Sequence, residues 1–205
     1  MADVILENGI RKYVDKSVCE KIKIDIRDCV GSTNDEVKAL AIKGEQEGYL
    51  LISRSQTKGK GRLGRSFFSP DSTGIYMSLL LRPKCKAEET TLITTAAAVA
   101  VCRSLEKAGV NPQIKWVNDI FVNDKKVCGI LAEAGFNAGT PCPDYVVLGV
   151  GINMYPPESD FPEDLKQIAG AVLSDVIQDC CNKFIAEFVN SFFVFKNCLK
   201  VVRNG

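Results

Sequence analysis

Apolar residues in this chain fall mostly into short runs of four to eight, either alternating with polar residues or unbroken, and only three stretches show helical spacing. Thr33-Asn34-Asp35-Glu36 has the spacing of a capping box, and Val37, Leu40 and Ala41 follow it on one helical face until Gly44 ends the pattern. A short helix with Ser32 and Thr33 at its mouth is predicted there. Residues 91–108 are apolar nearly all round and stop at Gly109, which predicts a buried helix. Between 176 and 202, Phe184, Ile185, Phe188, Phe192 and Phe195 share the face of a final helix. Strands are predicted over 49–53, 75–81, 114–117, 120–122, 127–134 and 145–152, with Asn123-Asp124 as a turn between the fourth and fifth. Strands outnumber helices, and most connections are too short for crossover helices. The pattern predicts an α+β fold with a mixed, largely antiparallel sheet and helices packed on one face.

Composition narrows the function more than the fold. The chain has 205 residues, 46% of them hydrophobic, and reads as one domain over 1–205 with no repeat or low-complexity tract. A net charge of +1 provides no global field toward nucleic acid or anionic membrane, so any basic site is local. No apolar run is long enough to span a bilayer and the N-terminus lacks a signal-peptide layout, which predicts a cytoplasmic protein. The nine cysteines contain no C-x-x-C pair and read as reduced, mostly buried thiols. Histidine is absent, which removes the commonest general base and zinc ligand, so any chemistry rests on Lys, Arg, carboxylates, amides and backbone.

The most distinctive segment is a loop with Lys58, Gly59, Lys60, Gly61, Arg62, Gly64 and Arg65. It matches G-x-G-x-x-G and nearly matches a P-loop, but both motifs must open a helix, whereas here Phe67-Phe68-Ser69-Pro70 and a strand follow. What remains is backbone freedom at three glycines beside four cations. That combination suits closure over a phosphate or acyl phosphate.

With this loop as the second of five motifs, the chain resembles the catalytic domain of the biotin-protein ligases. The resemblance covers about 32–153 and rests on Ser32-Thr33-Asn34, the loop with Phe68-Ser69-Pro70 behind it, Lys115-Trp116-Val117-Asn118-Asp119, Lys126 followed by Gly129-Ile130-Leu131, and Gly149-Val150-Gly151-Ile152-Asn153. It implies a class II aminoacyl-tRNA synthetase-like fold and a two-step reaction: biotin and ATP form biotinyl-5'-adenylate, and a lysine of a biotin carboxyl carrier domain then takes the biotinyl group. The implied cofactors are ATP and Mg2+.

The resemblance also implies roles. Lys126 and Arg62 would be catalytic, with Lys126 at the biotin carboxylate. Ser32, Thr33, Asn34, Gln56, Gly59, Lys60, Arg62, Lys126, Gly129 and Gly151 would bind biotin, the two last glycines by leaving room against the backbone. Arg62, Arg65, Phe67, Lys115, Asn118, Asp119 and Asn153 would bind ATP, and Asp119 would hold Mg2+. Read from the residues alone, Ser32 or Thr33 is equally a helix cap, Asn118-Asp119 a turn, and Lys126 an exposed turn lysine. Lys60, Phe67 and Val117 stand where the family usually has Arg, Trp and Pro. The small C-terminal β-barrel and the N-terminal winged helix common in the family have no counterpart here, so DNA binding is not expected. Neither a membrane partner nor a choice between monomer and homodimer is indicated. The alternatives are a lipoate or octanoate ligase or transferase, which shares the fold, and a non-catalytic biotin-binding module.

Overall fold

The computed structural model describes residues 3–84, 86, 90–116, 118–137 and 139–202, with side chains as far as 196. In chain order the elements are α1 (Glu7–Arg11), α2 (Lys16–Cys19), β1 (Lys23–Val30), α3 (Thr33–Ile42), β2 (Tyr49–Gln56), β3 (Gly74–Leu81), α4 (Thr90–Lys107), β4 (Gln113–Lys115), β5 (Asp119–Val122), β6 (Lys125–Gly135), β7 (Tyr145–Asn153) and α5 (Cys180–Val202). One seven-stranded sheet runs in the order β1-β2-β3-β7-β6-β5-β4. β1 and β2 are parallel and joined through α3; every other neighbouring pair is antiparallel.

The α+β class and the mixed, largely antiparallel sheet are as expected; the placement of the helices needs one correction. α1, α2, α4 and α5 bury Ile10, Val18, Val101, Leu105, Phe188 and Phe192 with Leu50, Ile52, Met77 and Leu79 on one face. α3 lies on the other face, where Val37 and Ala41 pack on Tyr49, Leu51, Leu80, Tyr145 and Val147. Period-two alternation explains the division, since odd and even residues of β2 point to opposite faces.

Three local differences have physical causes. Asp179 takes a left-handed φ of 65° and receives the Tyr13 hydroxyl, so α5 begins at Cys180 rather than at 176. Ser32, not Thr33, occupies the N-cap of α3, and its side chain makes no cap hydrogen bond. β1 adds a strand outside the expectations, although Ile22, Ile24 and Ile26 alternate with Lys23, Asp25 and Arg27 in the period of a strand. The Asn123-Asp124 turn is confirmed by left-handed φ values of 50° and 61°, as a two-residue hairpin between twisted strands requires. Val117 lies outside the described residues.

Candidate active site

On the face that carries α3, the inward positions of β7 read Tyr145, Val147, Gly149, Gly151. Bulky side chains support α3, and bare backbone follows. The register sets Ser78 beside Gly149 and Tyr76 beside Gly151 on one side, with Leu131 and Gly129 on the other and Asp119 beyond Gly129. A cavity of about 590 Å³ opens over this glycine floor. Its walls are the first turn of α3, the basic loop and the segment carrying Phe161, Leu165 and Ile168. The N-terminus of α3, the positive end of its dipole, therefore lies at the cavity wall.

Lys126 reaches this face through an irregularity. Strict alternation would put it opposite in sense to Gly129, three residues on. Between Ile120 and Phe121 the register slips, so that Ile120 pairs with Cys128 and Phe121 with Lys126, and Val127 becomes the extra residue. The slip swings Lys126 to the side of Asp119, and Nζ lies 2.7 Å from Asp119 Oδ1. The Lys126 backbone is clamped from outside, its N–H donating to Ile168 O at 2.8 Å and its carbonyl accepting from Gly170 N at 2.9 Å. Asn118 Nδ2 donates to the same Asp119 oxygen at 3.0 Å, and Arg62 Nη1 donates to Asn118 Oδ1 at 2.8 Å. Arg62, Asn118, Asp119 and Lys126 thus form one continuous polar chain along the cavity.

The opposite end is an amide and hydroxyl network. Gln56 Oε1 accepts from the Thr33 backbone N–H at 2.8 Å and from Thr33 Oγ1 at 3.1 Å, so β2 satisfies the first N–H of α3 with a side chain distant in sequence. Gln56 Nε2 donates to Ser69 Oγ, which donates to Phe67 O, tying the helix mouth to the loop base. Asn34, only 4% exposed, lies directly over Gly149, where a Cβ would sit 2.2 Å from its Oδ1.

The basic loop is folded onto this frame. Lys60 pairs with Asp35, whose hydrogen bond holds the ammonium above the ordinary lysine range. Leu63 sits at the tip in a left-handed turn with φ 56°, 90% exposed. Tyr76, on the cavity floor, has its phenol pushed up to about 12 by burial and donates to Pro70 O at 2.9 Å. The ring of Phe67 lies against the paired glycines: a Cβ on Gly151 would meet it at 2.6 Å, and one on Gly129 at 3.2 Å. The bare backbone at these two glycines lets the Phe67 ring lie directly against the sheet.

Residues 27–153 match the family described as Biotin/lipoate A/B protein ligase. The chain belongs to the biotin/lipoate A/B protein ligase family. It is 41% identical over 144 residues to the bifunctional ligase/repressor BirA of Bacillus spizizenii, which covers 70% of this chain and 44% of that protein. It is 31% identical over 157 residues to the biotin--[acetyl-CoA-carboxylase] ligase of Mycobacterium tuberculosis, covering 74% and 55%. The chain spans about half the length of the curated relatives it matches. Among solved structures, biotin protein ligase from Aquifex aeolicus in complex with biotin and ATP superposes with a TM-score of 0.69 at 28% identity, over 85% of this chain and 72% of that one.

Within this family member, the site residues expected from the sequence are brought to one cavity, apart from Gly59 and Lys115. Gly59 sits behind the loop, where a Cβ would stand 2.3 Å from Phe67 O, so its lack of a side chain serves loop closure. Lys115, directly opposite Asp119 on β4, is exposed at the sheet edge and rests 5.3 Å from the centre of the Phe121 ring. Glu133, Ser78, Phe161, Asp164, Leu165 and Ile168 also belong to the site or its support and were not among the expected residues. Ser78 and Glu133 sit on predicted strands and look like ordinary sheet positions. The 161–168 segment carries no periodic signal at all.

Proposed function

We propose that this chain is an ATP-dependent biotin-protein ligase. Biotin's carboxylate attacks the α-phosphorus of ATP, the bond to the bridging oxygen breaks, pyrophosphate leaves and biotinyl-5'-adenylate forms. A carrier-domain lysine amine then attacks the acyl carbon, the acyl–phosphate C–O bond breaks, AMP leaves and the nitrogen releases a proton. The observation that carries this reading is the Arg62–Asn118–Asp119–Lys126 chain on the rim of a cavity that ends in the Thr33–Gln56 amide network. Cations at one end suit carboxylate and phosphate, and paired donors and acceptors at the other suit a cyclic urea.

In this reading Lys126 offsets repulsion between the two anions of the first step and steadies the oxyanion of the second. Arg62 and Arg65 hold phosphate, Asn153 lines the nucleotide end, and the apolar wall of Phe161, Leu165 and Ile168 gives adenine a surface. Asp119 and Asp164 are the carboxylates facing the cavity, and no cluster of three or more candidate metal ligands exists among the described residues. That donor set suits Mg2+ delivered with the ATP phosphates rather than a resident ion. The acceptor is a biotin carboxyl carrier domain in the cytoplasm, where the cysteines found free stay reduced. No described helix is long and apolar enough to cross a membrane.

The test is incubation with carrier domain, ATP, Mg2+ and labelled biotin or lipoate. Labelling of the carrier by biotin alone is the expected result. Transfer of lipoate would assign the chain to the other branch of the family, and tight biotin binding without adenylate would make it a binding module.

A further inference from the structure

We propose that Glu133 is a positioning and specificity-determining residue that makes Thr33 a hydrogen-bond acceptor toward the cavity and so selects a ring bearing N–H groups. The inference rests on the biotin reading above and adds a residue to it. Its basis is the direction in which hydrogens must run through the network beside Gly149.

An ionised carboxylate only accepts hydrogen bonds. Glu133 Oε2 lies 2.7 Å from Asn34 Nδ2, and the Leu131 carbonyl is a longer second acceptor at 3.5 Å, so the half-buried carboxylate supplies the stronger of the two contacts that turn Asn34 Oδ1 toward Ser78. Ser78 Oγ lies 2.6 Å from Asn34 Oδ1 and 2.8 Å from Thr33 Oγ1, and it has one hydrogen. A carbonyl oxygen at 2.6 Å needs that hydrogen, since the alternative is two facing lone pairs. Thr33 also has one hydrogen, and both groups in reach of it, Gln56 Oε1 at 3.1 Å and Ser78 Oγ, are protein atoms. The orientation of Gln56 is itself settled by the Thr33 backbone N–H, which requires an oxygen opposite it. Thr33 is 4% exposed, lines the cavity and has only lone pairs left to offer.

A cyclic urea satisfies such an acceptor with a ring N–H. A dithiolane has none and would leave it buried and unpaired, and sites built to hydrogen-bond a substrate group discriminate strongly against analogues lacking it. Glu133 acts through Asn34 and Ser78 rather than by touching the ligand. Lys60, close enough to feel the Glu133 charge, balances it at the cavity rim.

The experiment compares Glu133→Gln, which retains an oxygen for Asn34, with Glu133→Leu, which retains bulk and no acceptor. Biotin KM and Kd are expected to rise about tenfold or more in Glu133→Leu, with KM for ATP within about twofold and kcat at saturating biotin within about threefold. Glu133→Gln should stay within about threefold of wild type throughout. If Glu133→Leu does not fold, Ser78→Ala breaks the same chain one link nearer Thr33 and should show the same split. Unchanged biotin KM in these variants, or a fall in kcat accompanied by a rise in both KM values, overturns the proposal. Failure of the wild type to bind biotin would instead overturn the functional reading. In that case, exchange of the Asn34 side-chain amide protons in ligand-free protein decides the positioning role. Protection that disappears in Glu133→Leu and persists in Glu133→Gln supports it, and equal protection in all three forms rejects it.

Discussion

Replacing Lys126 with alanine separates chemistry from architecture. The ammonium pairs with Asp119 at 2.7 Å, and the two side chains are 30% and 26% exposed, so water screens the pair and its net contribution to stability is at most about 1 kcal/mol. Asp119 keeps its bond from Asn118 in the variant, which limits the cost of leaving the carboxylate unpaired. In a chain of 205 residues, 1 kcal/mol corresponds to a Tm loss of about 2–4 °C. The expected catalytic loss is far larger, because removing one preorganised group from a developing oxyanion costs about 10²–10³ in rate. Pyrophosphate release measures the first half-reaction, carrier labelling the sum of both, and scanning calorimetry the Tm. Activity within about threefold of wild type would refute the catalytic assignment. A Tm loss beyond about 10 °C would show that the salt bridge is structural.

Arg62→Gly removes the guanidinium that reaches Asn118 and is expected to raise the escape rate of the anionic adenylate more than it slows its formation, read as increased labelling of bystander proteins; unchanged escape would mean that Arg62 does not retain the intermediate. Gly149→Ala places a Cβ 2.2 Å from Asn34 Oδ1 and must break its bonds to Ser78 and Glu133, with an expected loss of about 2–4 kcal/mol; a Tm change below about 2 °C would show that Asn34 yields freely. Stability should also fall in alkali, because burial pushes the Cys128 thiol well above its usual 9.0, and Cys102 likewise to about 11. Below about pH 9 both states keep these protons, whereas above it the unfolded chain loses protons that the folded chain retains, at about 2 kcal/mol per buried thiol by pH 10.5. The urea midpoint should therefore drop between about pH 8 and 10.5, and drop less in Cys128→Val; identical drops would exclude this thiol as a cause.

Sequence periodicity by itself determined most strands, because a half-buried strand needs alternation and a helix needs the 3.6-residue period, whatever surrounds them. Spacing also marked Asn123-Asp124 as a turn and Gly109 as a helix stop, since few other residues take a left-handed φ at low cost. The five motifs were readable for a similar reason: each places special residue types at short range. Their meeting in one cavity was not readable from periodicity, because it depends on which strands are neighbours. β7 lies between β3 and β6, so Gly149 and Gly151 meet residues about 75 and 20 positions distant.

Three further features belong to the tertiary structure alone. Lys126 faces Asp119 only because the ladder slips by one residue at Val127, which the local pattern does not encode. The mouth of α3 is held by Gln56 because β2 delivers an amide oxygen to the Thr33 N–H, while the Ser32 side chain makes no cap bond, and a long-range acceptor can satisfy a helix-end donor as well as a local one. Asn34 turns its Nδ2 toward the Glu133 carboxylate and the Leu131 carbonyl, and its Oδ1 toward Ser78. A hydrogen-bond direction is a property of a closed network, and no single residue in that network carries it.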